Sequence, residues 1–125
     1  MARILVVDDE EKIIKIFSTF LSKMGFEVIE VVGGEAAIGF LKSGMDMDLM
    51  ILDMKMPKVT GLDVLKVKHS LNDRRPVIIV TGSMGQEEVH AEVKELSFGR
   101  EKVIHKPVDL FLLLDEIKKQ LGMKI

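Results

Sequence analysis

The chain has 125 residues, 47% of them apolar and 30% charged, which is typical of one globular domain with a substantial core. A net charge of −2 gives no electrostatic reason to expect nucleic acid or an anionic membrane as a partner. Without cysteine, disulfides and thiolate metal sites are excluded, and no apolar run approaches the roughly 20 residues of a membrane span. The N-terminus shows no secretory signal pattern, so we expect a cytoplasmic protein.

Short apolar runs alternate with segments of helical spacing along the whole chain. Strands are predicted at 3–7, 26–32, 48–53, 77–80 and 101–105. Helices are predicted at 10–24, 35–43, 62–71 and 86–98, with a last one running from an N-cap at Asp109 to about Leu121. Five βα repeats with short loops predict a doubly wound parallel sheet with helices on both faces, and we expect one domain over 1–125.

Each predicted helix carries apolar residues on one face, which should lie on the sheet. These inward positions are, helix by helix, Ile13, Ile14, Phe17, Phe20, Leu21 and Met24; Ala37, Ile38 and Leu41; Leu62, Leu65 and either Val64 or Val67; Val89, Val93 and Leu96; and Leu110, Leu113, Leu114, Ile117 and Leu121.

The strand order follows in part from polarity. The runs at 4–7, 49–52 and 77–80 are apolar throughout, as strands buried on both faces should be. The segments at 26–32 and 101–105 alternate or carry charge, which suits edge strands. The resulting order 2-1-3-4-5 predicts an α/β, flavodoxin-like (βα)5 three-layer sandwich, whose ligand crevice lies between strands 1 and 3.

Four predicted strands deliver polar side chains to the same edge of this sheet. Asp8 and Asp9 follow strand 1, Asp53 ends strand 3, Thr81 follows strand 4, and Lys106 follows strand 5. Three neighbouring carboxylates cannot all stay ionised without a cation, and an all-oxygen set suits Mg²⁺. Such an ion, a lysine and a hydroxyl make a site for phosphoryl oxygens, and a carboxylate is a competent nucleophile toward phosphorus.

The order and spacing of these residues resemble the receiver domain of bacterial two-component response regulators. The matching motifs are Leu5-Val6-Val7-Asp8-Asp9-Glu10, Leu52-Asp53-Met54-Lys55-Met56-Pro57 with Gly61 eight after the Asp, Thr81-Gly82 and Lys106-Pro107. The resemblance covers essentially the whole chain. It implies a phospho-acceptor module that catalyses only its own phosphorylation and dephosphorylation and is not a turnover enzyme.

The resemblance also implies a role for each site residue. Asp53 accepts a phosphoryl group from a sensor histidine kinase or His-phosphotransfer domain. Asp9 and Asp53 ligate Mg²⁺ directly, Asp8 helps mainly through water, and the backbone carbonyl of Lys55 completes the protein ligands. Thr81 and Lys106 bind the phosphoryl oxygens, and the Lys106-Pro107 bond is expected to be cis.

Phosphorylation is expected to move a loop and change a surface. The segment 82–86 would be the two-state element, and the face of helix 4, strand 5 and helix 5 would be read by a downstream protein. No output domain is expected within the chain, and therefore no direct action on DNA.

Three residues depart from the family pattern. Val103 stands where the family usually has a Tyr or Phe that rotates with the threonine, so we hypothesise a reduced or rerouted switch. Lys55, two after the acceptor, is placed to hang over the site and to restrict hydrolytic water or repel Mg²⁺. Gly82 replaces the commoner alanine and loosens the loop.

Two other functions are compatible with parts of the pattern. One is an interaction module that keeps the fold and signals without phosphate, which Val103 and Lys55 make conceivable. The other is a metal-dependent phosphohydrolase, for which Asp46-x-Asp48 resembles the DxD of haloacid-dehalogenase-type phosphatases. That pair precedes a strand instead of ending one, and the predicted pocket offers no separate general acid or base.

Overall fold

The computed structural model describes residues 1–82 and 87–124. The strands are β1 (Arg3–Asp8), β2 (Glu27–Val32), β3 (Leu49–Asp53), β4 (Val77–Thr81) and β5 (Glu101–His105). The helices are α1 (Glu11–Lys23), α2 (Gly34–Ser43), α3 (Gly61–Ser70), α4 (Glu87–Leu96) and α5 (Leu110–Gln120). The strands are parallel in the order β2-β1-β3-β4-β5, which confirms the predicted fold. None of the helices in the described ranges is both long and apolar enough to cross a membrane.

The sheet separates two apolar layers. On one face, α1 and α5 pack against alternate side chains of the strands; on the other, α2, α3 and α4 do so. Strands β3 and β4 are buried at every residue, as the uninterrupted apolar runs predict, whereas β2 and β5 are partly exposed along their length. The two central strands therefore form a rigid base from which Asp53 and Thr81 emerge.

One predicted inward residue is wrong. The sequence pattern predicts Met24 on the buried face of the first helix, but its side chain is 41% exposed. Helix α1 ends at Lys23, and Met24 is the cap, so the helical periodicity no longer determines where its side chain points.

A charged residue is buried where no pattern suggested it. Lys68 on α3 has no exposed surface, and its Nζ donates to the carbonyl oxygens of Asp73 (2.9 Å) and Arg75 (2.5 Å). Nζ also lies 3.5 Å from Asp73 Oδ1. Burial lowers the pKa of Lys68, and the Asp73 carboxylate opposes that shift. This lysine fixes the turn between α3 and β4 and so the start of a central strand.

The loop from β3 to α3 is held close to the end of β3. A side chain on Gly61 would place its Cβ only 2.7 Å from the carbonyl oxygen of Asp53, so only glycine fits there. Thr60 and Asp63 form a capping box: the Thr60 hydroxyl accepts from the Asp63 amide (3.2 Å), and the Asp63 carboxylate accepts from the Thr60 amide (3.0 Å). Helix α3 therefore begins directly beside the predicted acceptor.

The same loop contains a strained residue. The Val59 amide donates to the Pro57 carbonyl (2.8 Å), and Lys58 between them has φ 65°. This is a γ-turn centred on a residue with a Cβ, a conformation that a lysine adopts at a cost of roughly 1 kcal/mol.

We predict that Lys58→Asn raises the free energy of unfolding by about 1 kcal/mol, because asparagine tolerates positive φ. The same change at Lys66, an exposed position within α3, should lower it by a few tenths, because asparagine is the poorer helix former. Urea unfolding of both variants measures the difference. Equal effects at the two positions would contradict the assigned strain.

Candidate functional site

Three carboxylates meet at the carboxyl-terminal edge of the sheet. Asp8 ends β1, Asp9 follows it, and Asp53 ends the neighbouring strand β3. One carboxylate oxygen from each lies within 4.8 Å of the other two. Asp8 and Asp53 are buried, 3% and 2% exposed, and Asp9 is more open. The predicted acidic cluster is thus assembled by two adjacent parallel strands.

Asp53 is held between two donors. Its Oδ1 accepts from the Lys55 amide (3.2 Å) and lies 3.6 Å from Lys106 Nζ, whose side chain is 41% exposed. Burial raises the pKa of Asp53, while the Lys55 hydrogen bond and the Lys106 charge oppose that shift. The Asp53 carboxylate is therefore fixed in position, and the Lys106 ammonium beside it remains accessible to a second anion.

Asp8 is the more perturbed carboxylate. Its Oδ1 accepts from the Glu10 amide (3.0 Å). Burial, with a smaller contribution from the Asp53 charge, raises the pKa of Asp8 to about 6. Burial disfavours the ionised form of both carboxylates, so a cation that binds between them stabilises the pair. The all-oxygen donor set, with one open side at Asp9, fits a hard ion such as Mg²⁺ that keeps part of its water shell.

Thr81 and Lys106 reach the same edge from β4 and β5. Thr81 is buried at the last position of β4 and pairs in register with His105. The Lys106 amide donates to the Thr81 carbonyl (2.8 Å), which ties the chain after β5 to the end of β4. The Lys106-Pro107 peptide bond is cis, as expected.

Other predicted features have mixed outcomes. Lys55 is exposed beside Asp53, and the binding of metal by its carbonyl stays a prediction. Val103 is partly buried and packs into the apolar layer that includes Val89 and Leu96. Of the segment 82–86 expected to move, residues 83–86 lie outside the described part of the chain.

The DxD-like pair does not join the site. Asp48 Oδ2 accepts from the Arg3 amide (2.7 Å) at the start of β1, which is the opposite edge of the sheet. This position removes the feature that favoured a phosphohydrolase of the haloacid-dehalogenase type.

An apolar surface that the sequence pattern did not predict lies next to the site. A cavity of about 280 Å³ is lined by α1 and by the segment that follows β5, including Lys106 and Pro107. Ile16 is 52% exposed beside it, and Phe111, 66% exposed, contacts the Phe20 ring edge to face at 5.4 Å. In the sequence, this surface is indicated by Ile16, an apolar residue on the outer face of an amphipathic helix.

Comparison with known proteins gives consistent results. The family model for the response regulator receiver domain matches residues 4–118. The response regulator SaeR of Staphylococcus epidermidis is 34% identical over 107 residues, which are 86% of this chain and 44% of that protein. This chain thus spans less than half the length of the curated relatives it matches.

Two solved structures are also similar. A CheY-like receiver domain protein from Methanospirillum hungatei has a TM-score of 0.87 and 28% identity, covering 98% of this chain and 94% of that one. The response regulator TrrA of Thermotoga maritima, solved in complex with Mg²⁺ and BeF, has a TM-score of 0.80 and 30% identity, covering 97% and 100%. With the family match over residues 4–118, these similarities show that the chain belongs to the response regulator receiver domain family of two-component signal transduction.

Proposed function

We propose that Asp53 is the phospho-acceptor of this receiver domain. The observation that carries the proposal is the placement of its carboxylate, buried at a strand end, 3.6 Å from Lys106 Nζ and clustered with Asp8 and Asp9. An oxygen of Asp53 attacks the phosphorus of a phosphohistidine; the P–N bond breaks, the imidazole leaves with its electron pair and takes up a proton, and an acyl phosphate forms.

The residues around Asp53 supply alignment and charge. Lys106 and the Thr81 hydroxyl are proposed to bind the phosphoryl oxygens, so that negative charge is balanced as it moves onto the site. Asp8, Asp9, Asp53 and the Lys55 carbonyl are proposed to hold Mg²⁺, which when bound supplies charge neutralisation at the phosphoryl oxygens. The domain then acts only on its own phosphorylation state.

The phosphoryl donor is proposed to rest on the apolar surface beside the site. Response regulators receive phosphoryl groups from histidine kinases, so a sensor kinase or His-phosphotransfer domain is the partner we infer. Lys106 lines this surface and also lies 3.6 Å from Asp53, Ile16 lines it from α1, and the exposed Phe111 lies on α5. A donor helix seated there would place its histidine near the acidic cluster.

The surface read by a downstream partner is proposed to be the one predicted from the sequence, with one difference at Val103. We propose that a protein partner reads α4, β5 and α5, and that the partly buried Val103 cannot take the place of an aromatic ring that rotates with the threonine. The same residue favours a second candidate function, an interaction module that does not use phosphate. Mg²⁺ affinity discriminates between the two, because a domain without the chemistry has no need to retain the ion.

Phosphorylation of Asp53 is predicted to appear as the gain of one phosphoryl group in intact mass after incubation with phosphoramidate and Mg²⁺. Asp53→Asn should abolish the gain, because an amide oxygen is a poor nucleophile. Asp63→Asn, the same change at a capping residue outside the cluster, should gain the group as the wild type does. An Asp53→Asn variant that is still modified would contradict the assignment.

The raised pKa of Asp8 predicts a pH-dependent stability. In the folded protein the pKa of Asp8 is about 6, above the ordinary 3.8 of an unfolded chain. The contribution of Asp8 to the free energy of unfolding is therefore most favourable below pH 4 and is lost as the pH rises through 6. In metal-free protein, Asp8→Asn should therefore raise the free energy of unfolding by about 2 kcal/mol near pH 8 and by nothing near pH 4. Urea unfolding in the presence of a chelator measures both values.

The matched control again uses Asp63, whose pKa is lowered by the Thr60 hydrogen bonds. Asp63→Asn should be destabilising near neutral pH, the opposite sign. Mg²⁺ binding by the wild type should weaken as pH falls from 7 toward 5, since Asp8 takes up a proton. A pH-independent gain in Asp8→Asn, or Mg²⁺ affinity unaffected by pH, would count against this account.

Lys55 is predicted to lengthen the life of the acyl phosphate. The Lys55 amide donates a hydrogen bond to the Asp53 carboxylate. The Lys55 side chain is exposed and can shield the site from hydrolytic water. Lys55→Ala should shorten the half-life severalfold, whereas Lys66→Ala on the exposed face of α3 should leave it unchanged. Loss of the phosphoryl mass over time measures the rate, and an unchanged half-life in Lys55→Ala refutes the role.

A further inference from the structure

Helix α4 ends in an unusual cap. Within the described chain each of the five helices is followed by a residue with positive φ: Gly25, Gly44, Asn72, Phe98 and Gly122. After α4, the Phe98 amide donates to the Glu95 carbonyl (3.1 Å) and the Gly99 amide to the Lys94 carbonyl (2.9 Å), with Phe98 at φ 55°. Glycine and asparagine adopt this conformation readily, whereas a bulky phenylalanine is strained in it.

Helix α4 is also lightly packed beside that cap. Among its described apolar side chains only Val93 is fully buried, while α1 and α5 each bury three apolar residues. Ser97, next to Phe98, has no exposed surface, and its hydroxyl finds no hydrogen-bond partner among the described residues. A buried hydroxyl without a partner opposes the position that α4 occupies.

The Phe98 ring is held by the end of helix α3. It stacks on His69 with ring centres 4.8 Å apart and planes 13° apart, and Arg74 Cζ lies 4.2 Å from its centre. Arg74 Nε in turn donates to Asn72 Oδ1 (3.2 Å), and Asn72 is the positive-φ residue that ends α3. His69, Asn72, Arg74 and Phe98 thus join the two helix ends; we call these four residues the joined caps.

We propose that the joined caps are a latch that holds α4 in this position, and that α4 is released when the Phe98 ring leaves its stack. The strained φ of Phe98 and the unpartnered Ser97 hydroxyl favour release, and the stack with His69 and Arg74 opposes it. Two opposed local contributions make α4 an element that a modest perturbation can re-seat. Helix α3, which carries one half of the latch, begins beside Asp53.

The proposal rests on the proposed function only in treating α4 as part of the readout, and it is tested on the unphosphorylated protein. Phe98→Asn relieves the positive φ but removes the ring. If the ring is the latch, amides of 89–97 should exchange with deuterium about fivefold faster than in the wild type. If Phe98 only strains the cap, their exchange slows, and that result overturns the proposal.

Companion variants separate a latch from general destabilisation. His69→Ala should accelerate exchange in 89–97, and Ser97→Ala should slow it, because the buried hydroxyl is gone. Phe111→Ala, which removes the other aromatic pair on the far side of the sheet, should leave 89–97 unchanged. Acceleration spread equally over α1 and α5, or an unslowed Ser97→Ala, contradicts the latch. Intact-mass phosphorylation of Phe98→Asn should persist, so a failure of the acceptor role is seen separately.

Discussion

The fold is arranged around an unfavourable concentration of negative charge at the end of two adjacent strands. Asp8 and Asp53 are almost fully buried, burial raises the pKa of both, and the Lys106 side chain that faces Asp53 is 41% exposed. Such a cluster weakens the isolated domain, and a cation bound among the carboxylates would balance its negative charge. The rigid apolar strands β3 and β4 keep the carboxylate from escaping this environment by local rearrangement.

Several structural features meet around Asp53. Gly61 lets α3 begin against the end of β3, and the chain after β5 brings Lys106 and an apolar surface to the same opening. Val103 on β5 is partly buried against the apolar layer that includes Val93 of α4. At the carboxyl end of α4, the Phe98 ring stacks on His69 and lies 4.2 Å from Arg74 Cζ.

The sequence was sufficient for the fold and for the edge of the sheet where the site lies. Uninterrupted apolar runs identify buried parallel strands, and strand ends carrying Asp8, Asp53 and Thr81 converge by topology alone. The sequence pattern did not predict contacts between turns that are distant in the chain. The buried Lys68 ammonium donates hydrogen bonds to backbone carbonyls of a nearby turn, and the ring of Phe98, a residue with positive φ, contacts His69 of α3 and Arg74 of the following turn. Periodicity records which face a residue occupies and carries no information about such partners.

The most direct test is a crystal structure of the domain with Mg²⁺ and beryllofluoride, which mimics an acyl phosphate. We expect beryllium bonded to an Asp53 carboxylate oxygen, with fluorides within hydrogen-bond distance of Lys106 Nζ and Thr81 Oγ1. We expect Mg²⁺ among Asp9, Asp53 and the Lys55 carbonyl, with Asp8 reaching it through water. Beryllofluoride on a different carboxylate, or Mg²⁺ absent from the acidic cluster at saturating concentration, would contradict it.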